Sequence, residues 1–214
     1  MLDLWFSHRV RPQCCGEAYY FRFADDFVAG FRNRQDAEHF QTALGERLRT
    51  FRLRLAEEKT RCLAFGRFAR DNARARGEKP EEFTFLGFTH YCGKSKKGYF
   101  KVKRRTSRKK FGASLRAFND WARRVRHKQT KGEMLIRAKA RIQGHLNDYA
   151  ITDNARSCSR YVYHATRILR RWLNRKSQRK AYNWGQYNDV LREVAWPRVR
   201  IRTDLNPFRR AEAC

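Results

Sequence analysis

The chain has 214 residues, of which 50 are Lys or Arg and 21 are Asp or Glu, for a formal net charge of +29. A hydrophobic content of 41%, with 14% aromatic residues, supplies folded cores and excludes a wholly disordered basic tail. No apolar run approaches the roughly 20 residues that span a bilayer, so the expected partner is a nucleic acid and not a membrane. The charge is uneven: residues 1–93 hold 16 bases and 13 acids, residues 94–180 hold 28 and 4, and residues 181–214 hold 6 and 4. Domains of about 100–150 residues are typical, so the length allows one or two. The charge step divides the chain into 1–93 and 94–214.

A short helix is predicted over Leu2 to His8. Glu17 to Phe23 and Phe27 to Phe31 read as the strands of a hairpin with Asp25 and Asp26 at its turn. Ala37, Phe40, Leu44, Leu48 and Phe51 recur at helical spacing and form a face that should cover a sheet. Arg52 to Ala56 alternates charged and apolar residues like a half-exposed strand, and Arg61 to Phe65 reads as another. The polar stretch Arg67 to Pro80, with Gly77, reads as a loop. Phe83 to Phe88 and Gly98 to Lys103 read as a second hairpin turning at 93–98.

Beyond position 104 the pattern becomes helical. Leu115, Phe118, Ala122 and Val125 mark one amphipathic helix, and Leu135, Ala138, Ile142 and Leu146 mark a second, which Thr130 and Glu133 cap as a box. Tyr161, Ala165, Ile168, Leu169 and Trp172 follow a cap at Asp153 or Asn154, and Trp184, Tyr187 and Leu191 give a shorter fourth helix. The expected class is α+β: antiparallel hairpins with a packed helix, then an α-helical bundle.

Six cysteines, Cys14, Cys15, Cys62, Cys92, Cys158 and Cys214, show neither Cys-x-x-Cys nor zinc-finger spacing, so they read as free thiols in a reducing compartment. Asp3 and His8 interrupt the opening residues, where a secretory leader needs an apolar core. The expected location is cytoplasmic, within a nucleoprotein. His127, His145 and His164 are isolated along helices and read as packing or phosphate contacts, not zinc ligands.

The chemistry centres on Phe23-Ala24-Asp25-Asp26, set between Tyr19-Tyr20-Phe21 and Phe27-Val28. Adjacent carboxylates in strand-like sequence repel each other and fit a pleat poorly, so a divalent cation would account for them; the alternative is an ordinary Asp-containing turn. Downstream lie Leu53-Arg54-Leu55-Ala56-Glu57-Glu58-Lys59-Thr60 and Phe83-Thr84-Phe85-Leu86-Gly87-Phe88. In this order the three segments resemble the later palm motifs of a reverse transcriptase, and more narrowly the reverse transcriptase/maturase of group II introns. Leu2-Asp3-Leu4-Trp5-Phe6, Gly16-Glu17-Ala18-Tyr19, Gly144-His145-Leu146-Asn147-Asp148-Tyr149 and Trp172-Leu173-Asn174-Arg175 fit that family too.

The resemblance implies a partial palm over 1–93, with a thumb or maturase (domain X) region over 94–214. It implies nucleotidyl transfer with two Mg²⁺ ions, Asp25 as principal bridging ligand and Asp26 as neighbour or weaker ligand. Phe23 stands where the family most often has Tyr and keeps a ring against the primer end. Lys59 would approach the triphosphate, or is one solvated lysine among many; Leu86 and Gly87 resemble the primer grip, or Gly87 permits a bulge. Lys101, Lys103, Arg104, Arg105, Arg108, Lys109 and Lys110, continued by Arg123, Arg124, Arg137, Arg141, Arg170 and Arg171, would bind intron RNA and template–primer, with DNA as a further candidate.

The family's third metal-binding Asp and nucleotide-holding fingers are expected upstream of the hairpin, so the resemblance implies a C-terminal portion, inactive alone, with a possible N-terminal reverse transcriptase fragment as partner. No nuclease site is visible. Three readings stand: a polymerase portion, an RNA-binding splicing factor without polymerase activity, and an inactive remnant.

Overall fold

The computed structural model describes residues 2–176 and 182–205; Cys214 lies outside them. The fold is α+β, in two compact units, Met1–Leu86 with His90–Val102 and Gly87–Thr89 with Lys103–Cys214. The charge step at 93–94 falls inside a strand.

In the first unit α1, Leu2–Trp5, runs into a π-helical turn, Phe6–Val10, and a 3-10 turn, Arg11–Gln13, so the helical stretch outlasts the predicted end at His8. β1, Ala18–Phe23, pairs antiparallel with β2, Asp26–Phe31, in the register Ala18↔Phe31 to Phe23↔Asp26. α2, Arg34–Arg49, buries Phe40 and Leu44 as its spacing predicts, whereas Phe51 lies beyond its end and is exposed. Alternation along the hairpin sends Ala18, Tyr20, Phe27, Ala29 and Phe31 to the core shared with Phe6, Val10, Phe40 and Leu44. Phe40 meets Phe6 edge-on at 5.6 Å and lies tilted against Phe31 at 5.2 Å, and Tyr20 stacks on Phe6 at 5.1 Å. Such pairs add about 0.5–1.5 kcal/mol each beyond area burial.

Neither Arg52–Ala56 nor Arg61–Phe65 forms a strand. Arg52 sits at φ +58°, and the amides of Arg52 and Leu53 return to the carbonyls of Arg49 and Leu48, so turn bonds take the groups a ladder would need. Phe65 packs edge-on against Phe83 at 5.0 Å, and the Ala64 amide donates to the Glu81 carboxylate at 2.6 Å. The expected loop contains α3, Ala69–Ala75. Its end is a Schellman motif: the Gly77 and Glu78 amides donate to the carbonyls of Arg74 and Ala73, with Gly77 at φ +70°.

The second predicted hairpin is a three-stranded sheet, β3 Glu82–Phe85, β4 Phe88–Lys94 and β5 Phe100–Thr106, in the order β3-β4-β5. The run Phe83 to Phe88 breaks at Leu86-Gly87, which turns with φ +51° and +81°, the sign pattern of a type I′ hairpin.

The second unit packs α4, Arg108–Val125, α5, Lys131–Tyr149, α6, Ala155–Asn174, and α7, Trp184–Glu193, around one core. The predicted faces are the buried or half-buried ones, joined by Trp121, Met134 and Tyr149, except at Trp184, which was expected on the buried face of α7 and is 47% exposed in its first turn. The Thr130/Glu133 capping box is present in both directions. Asn154 precedes α6 but its side chain makes no cap bond. Fully buried, it accepts from the Thr106 amide and donates to Thr106 Oγ1 and to the Tyr149 carbonyl, all at 2.8 Å. Burial lifts the Cys158 thiol to about 11, and the five described cysteines are unbridged. Among the described residues no helix is long and apolar enough to cross a membrane.

Candidate catalytic hairpin and nucleic-acid interface

Phe23 pairs with Asp26, so Ala24 and Asp25 form the two-residue connection at the hairpin tip. Ala24 adopts φ +50°, a left-handed conformation that costs an L-residue roughly 1–2 kcal/mol. Arg22 secures the turn: Nη1 donates to the Ala24 carbonyl at 3.1 Å, while Nη2 and Nε donate to the Asp3 carboxylate at 2.7 and 3.1 Å. The Arg22 guanidinium holds the Asp3 carboxyl below its ordinary range. Asp3, engaged in this clamp, serves the turn. Asp25 and Asp26 are both exposed at the tip.

The outward face of β1 carries Tyr19, Phe21 and Phe23, 52%, 62% and 64% exposed, in a stripe that ends at the carboxylates. Tyr19 and Phe21 were not singled out by the sequence, although their i, i+2, i+4 spacing with Phe23 is visible there. Chemically, the tip offers oxygen donors of the kind hard divalent cations take. Among the described residues no group of three His, Cys, Asp or Glu side chains gathers to hold a metal ion.

Lys59 lies exposed on a turn whose amides at Lys59 and Thr60 return to the Ala56 carbonyl. Leu86 is 47% exposed. A Cβ on Gly87 would meet Tyr149 Oη at 3.3 Å and Lys110 Cγ at 3.6 Å, and the Gly87 carbonyl accepts from the Ser107 amide. The bare side of this glycine thus faces side chains of its own unit, and its backbone makes a tight turn, not a bulge.

Lys101, Lys103 and Arg104 are half-buried on β5 and Arg105 is exposed. Arg108, Lys109 and Lys110 are exposed in the first turn of α4, which contains no acid. Cations at a helix N-terminus oppose the macrodipole, so this turn gains from an external anion. Arg123, beside Asp120 at 3.8 Å, and Arg124, Arg137 and Arg141 are also exposed, the last lying over the Trp121 ring at 4.8 Å. Arg171 donates to Asn119 Oδ1 at 2.6 Å. Arg170 is turned inward: half-buried, it lies 4.0 Å over the Trp184 ring and donates to the Tyr182 carbonyl.

His145 is buried, stacked on Tyr161 at 3.5 Å and on Tyr149 at 4.6 Å, with no hydrogen-bond partner at Nε2. Burial drives its pKa down to about 4, against a smaller upward pull from Asp148. This is a packing histidine.

Residues 4–90 match the family model for reverse transcriptase (RNA-dependent DNA polymerase). The reverse transcriptase match spans α1 to the first residues of β4 and contains Asp25, Asp26, Lys59, Leu86 and Gly87. It ends before the basic residues from Lys101 to Arg171. No curated protein and no solved structure matches the chain. Over the matched residues, the similarity points to a function related to RNA-directed DNA polymerases and to nucleic acid as partner.

Proposed function

We propose that this chain is the palm-end and thumb portion of a group II intron reverse transcriptase/maturase, acting on intron RNA and template–primer in a cytoplasmic nucleoprotein. The observation that carries the reading is the reverse-transcriptase-like segment whose hairpin presents Asp25 and Asp26 side by side at an exposed tip. In the intact active site these carboxylates would hold Mg²⁺, which activates the attacking 3′-hydroxyl and neutralises the leaving pyrophosphate. This chain's own residues position the donors: Arg22 holds the turn and β1 and β2 set the carboxylates beside an exposed aromatic stripe. Rings of this kind stack on bases of any sequence.

The excess of 28 bases over 4 acids in residues 94–180 supports RNA binding by the helical region. It also supports a second reading, a splicing factor that holds intron RNA without polymerising.

Two adjacent carboxylates are fewer ligands than two bridging ions take. The chain alone is therefore expected to bind group II intron RNA in preference to an unrelated RNA of equal length, with no Mg²⁺-dependent incorporation of dNTPs on an RNA template. Incorporation by the wild-type chain that vanishes in Asp25→Asn would overturn the expected inactivity and establish the polymerase reading. Equal affinity for both RNAs would overturn the intron assignment.

A further inference from the structure

The surface of the first unit carries an open concavity of about 540 Å³ remote in sequence from the carboxylate hairpin, lined by Arg70, Asp71, Arg74, Glu78, Lys79 and Lys94 together with Gly77 and Pro80. Its four cations come from three places: Arg70 and Arg74 stand one turn apart on α3, Lys79 follows the helix, and Lys94 ends β4. Like charges at i and i+4 on a helix oppose each other, and bringing Lys79 and Lys94 to the same concavity adds to that cost. Of the two lining acids, Glu78 is engaged by Arg76 at 2.9 Å, leaving Asp71 as the other carboxylate among four bases. Arg74 in the last turn suits the helix dipole. That explains neither Arg70 nor the two lysines.

The scaffold is fastened. The Schellman turn at Gly77 doubles the chain back, the Glu81 carboxylate accepts from the Ala64 amide, and the Cys92 thiol lies 3.4 Å from both the amide and the carbonyl of Gly66. This segment, pinned at both ends, sets four exposed cations around one concavity in a region whose overall charge is close to balanced.

We propose that this concavity binds phosphodiester groups of an RNA strand, a contact separate from the basic residues between 101 and 171. The inference rests on the reading that the protein binds RNA. An open, cation-lined concavity suits consecutive phosphates, and mixed Arg and Lys give them both forked and point-charge donors.

The test uses the full chain and a fluorescein-labelled, unstructured 30-nucleotide RNA titrated over a range of KCl. The double variant R70A/R74A should lower the magnitude of the log–log salt slope by about 1.4, at about 0.7 for each lost phosphate contact on a single strand. Its far-UV circular dichroism and melting temperature should match the wild type. In the wild-type chain the RNA should protect Lys79 and Lys94 from amine acetylation, read by mass spectrometry, whereas the same phosphate concentration supplied as inorganic phosphate should not. Wild-type binding with an unchanged slope in R70A/R74A and unprotected lysines would overturn this proposal alone. Protection by inorganic phosphate would make it a small-anion site and overturn the RNA assignment. Failure of the wild-type chain to bind RNA would remove the reading under Proposed function, and this one with it.

Discussion

Ala24 carries the sharpest backbone compromise in the hairpin, because a residue with a Cβ occupies φ +50° where glycine would rest without strain. Ala24→Gly should raise stability by up to about 1 kcal/mol in chemical denaturation, the relieved strain being partly offset by the freer unfolded chain. A loss of stability would show that the Ala24 methyl is needed for packing. His145 makes the opposite bargain, a titratable ring kept neutral by burial. Its folded pKa of about 4 lies below the ordinary 6.5, so the unfolded chain takes up a proton first as pH falls. Stability should therefore be highest above about pH 6.5 and decline toward pH 4 by up to about 3 kcal/mol, with no further loss from this residue below that. Denaturation curves at pH 7.5, 5.5 and 4.5 should show this decline in the wild type and a smaller one in His145→Phe; parallel declines would assign the acid sensitivity elsewhere.

Capping chemistry at the start of α5 is a separable contribution, since Thr130 Oγ1 accepts from the Glu133 amide at 3.2 Å and Glu133 returns the bond to the Thr130 amide at 2.7 Å. Thr130→Ala should cost about 1 kcal/mol in thermal or urea unfolding, and no change would mean that water satisfies the helix end as well. This box and the four long helices were legible because a 3.6-residue apolar stripe and a Thr-x-x-Glu signal have few competing explanations. α3 was not, because its seven residues bury only Ala73 and show no stripe; its signal was the stop, Gly77 followed by Pro80. The alternation Arg52-Leu53-Arg54-Leu55 imitates a strand, yet alternation supplies no partner for a ladder. β4 was missed where aromatic and threonine residues ran into Tyr91-Cys92-Gly93 without clear alternation. At the candidate site the carboxylates stood out from apolar neighbours. The exposed stripe did not, because aromatics on both faces of β1 conceal which face is core. Nor can a helical pattern show that Arg170 points at Trp184 and not at solvent.

The molecule as a whole is expected to bind RNA mainly by displacing counterions. Replacing Arg104, Arg105, Arg108, Lys109 and Lys110 by Ala should flatten the salt slope by roughly two to three, at about 0.7 per phosphate on a single strand. Unchanged slope and affinity in that variant would move the binding surface to the helices around Arg137 and Arg141. The two compact units are also interleaved along the chain: Gly87–Thr89 belongs with the helices, whereas the later stretch His90–Val102 belongs with the hairpin unit. No single cut can release both intact. During synthesis the earlier unit is complete only once residue 102 has left the ribosome, while the later one takes up three residues already made. A recombination breakpoint anywhere between 87 and 102 would hand each daughter gene an unfinished domain, so this junction should be inherited as one piece.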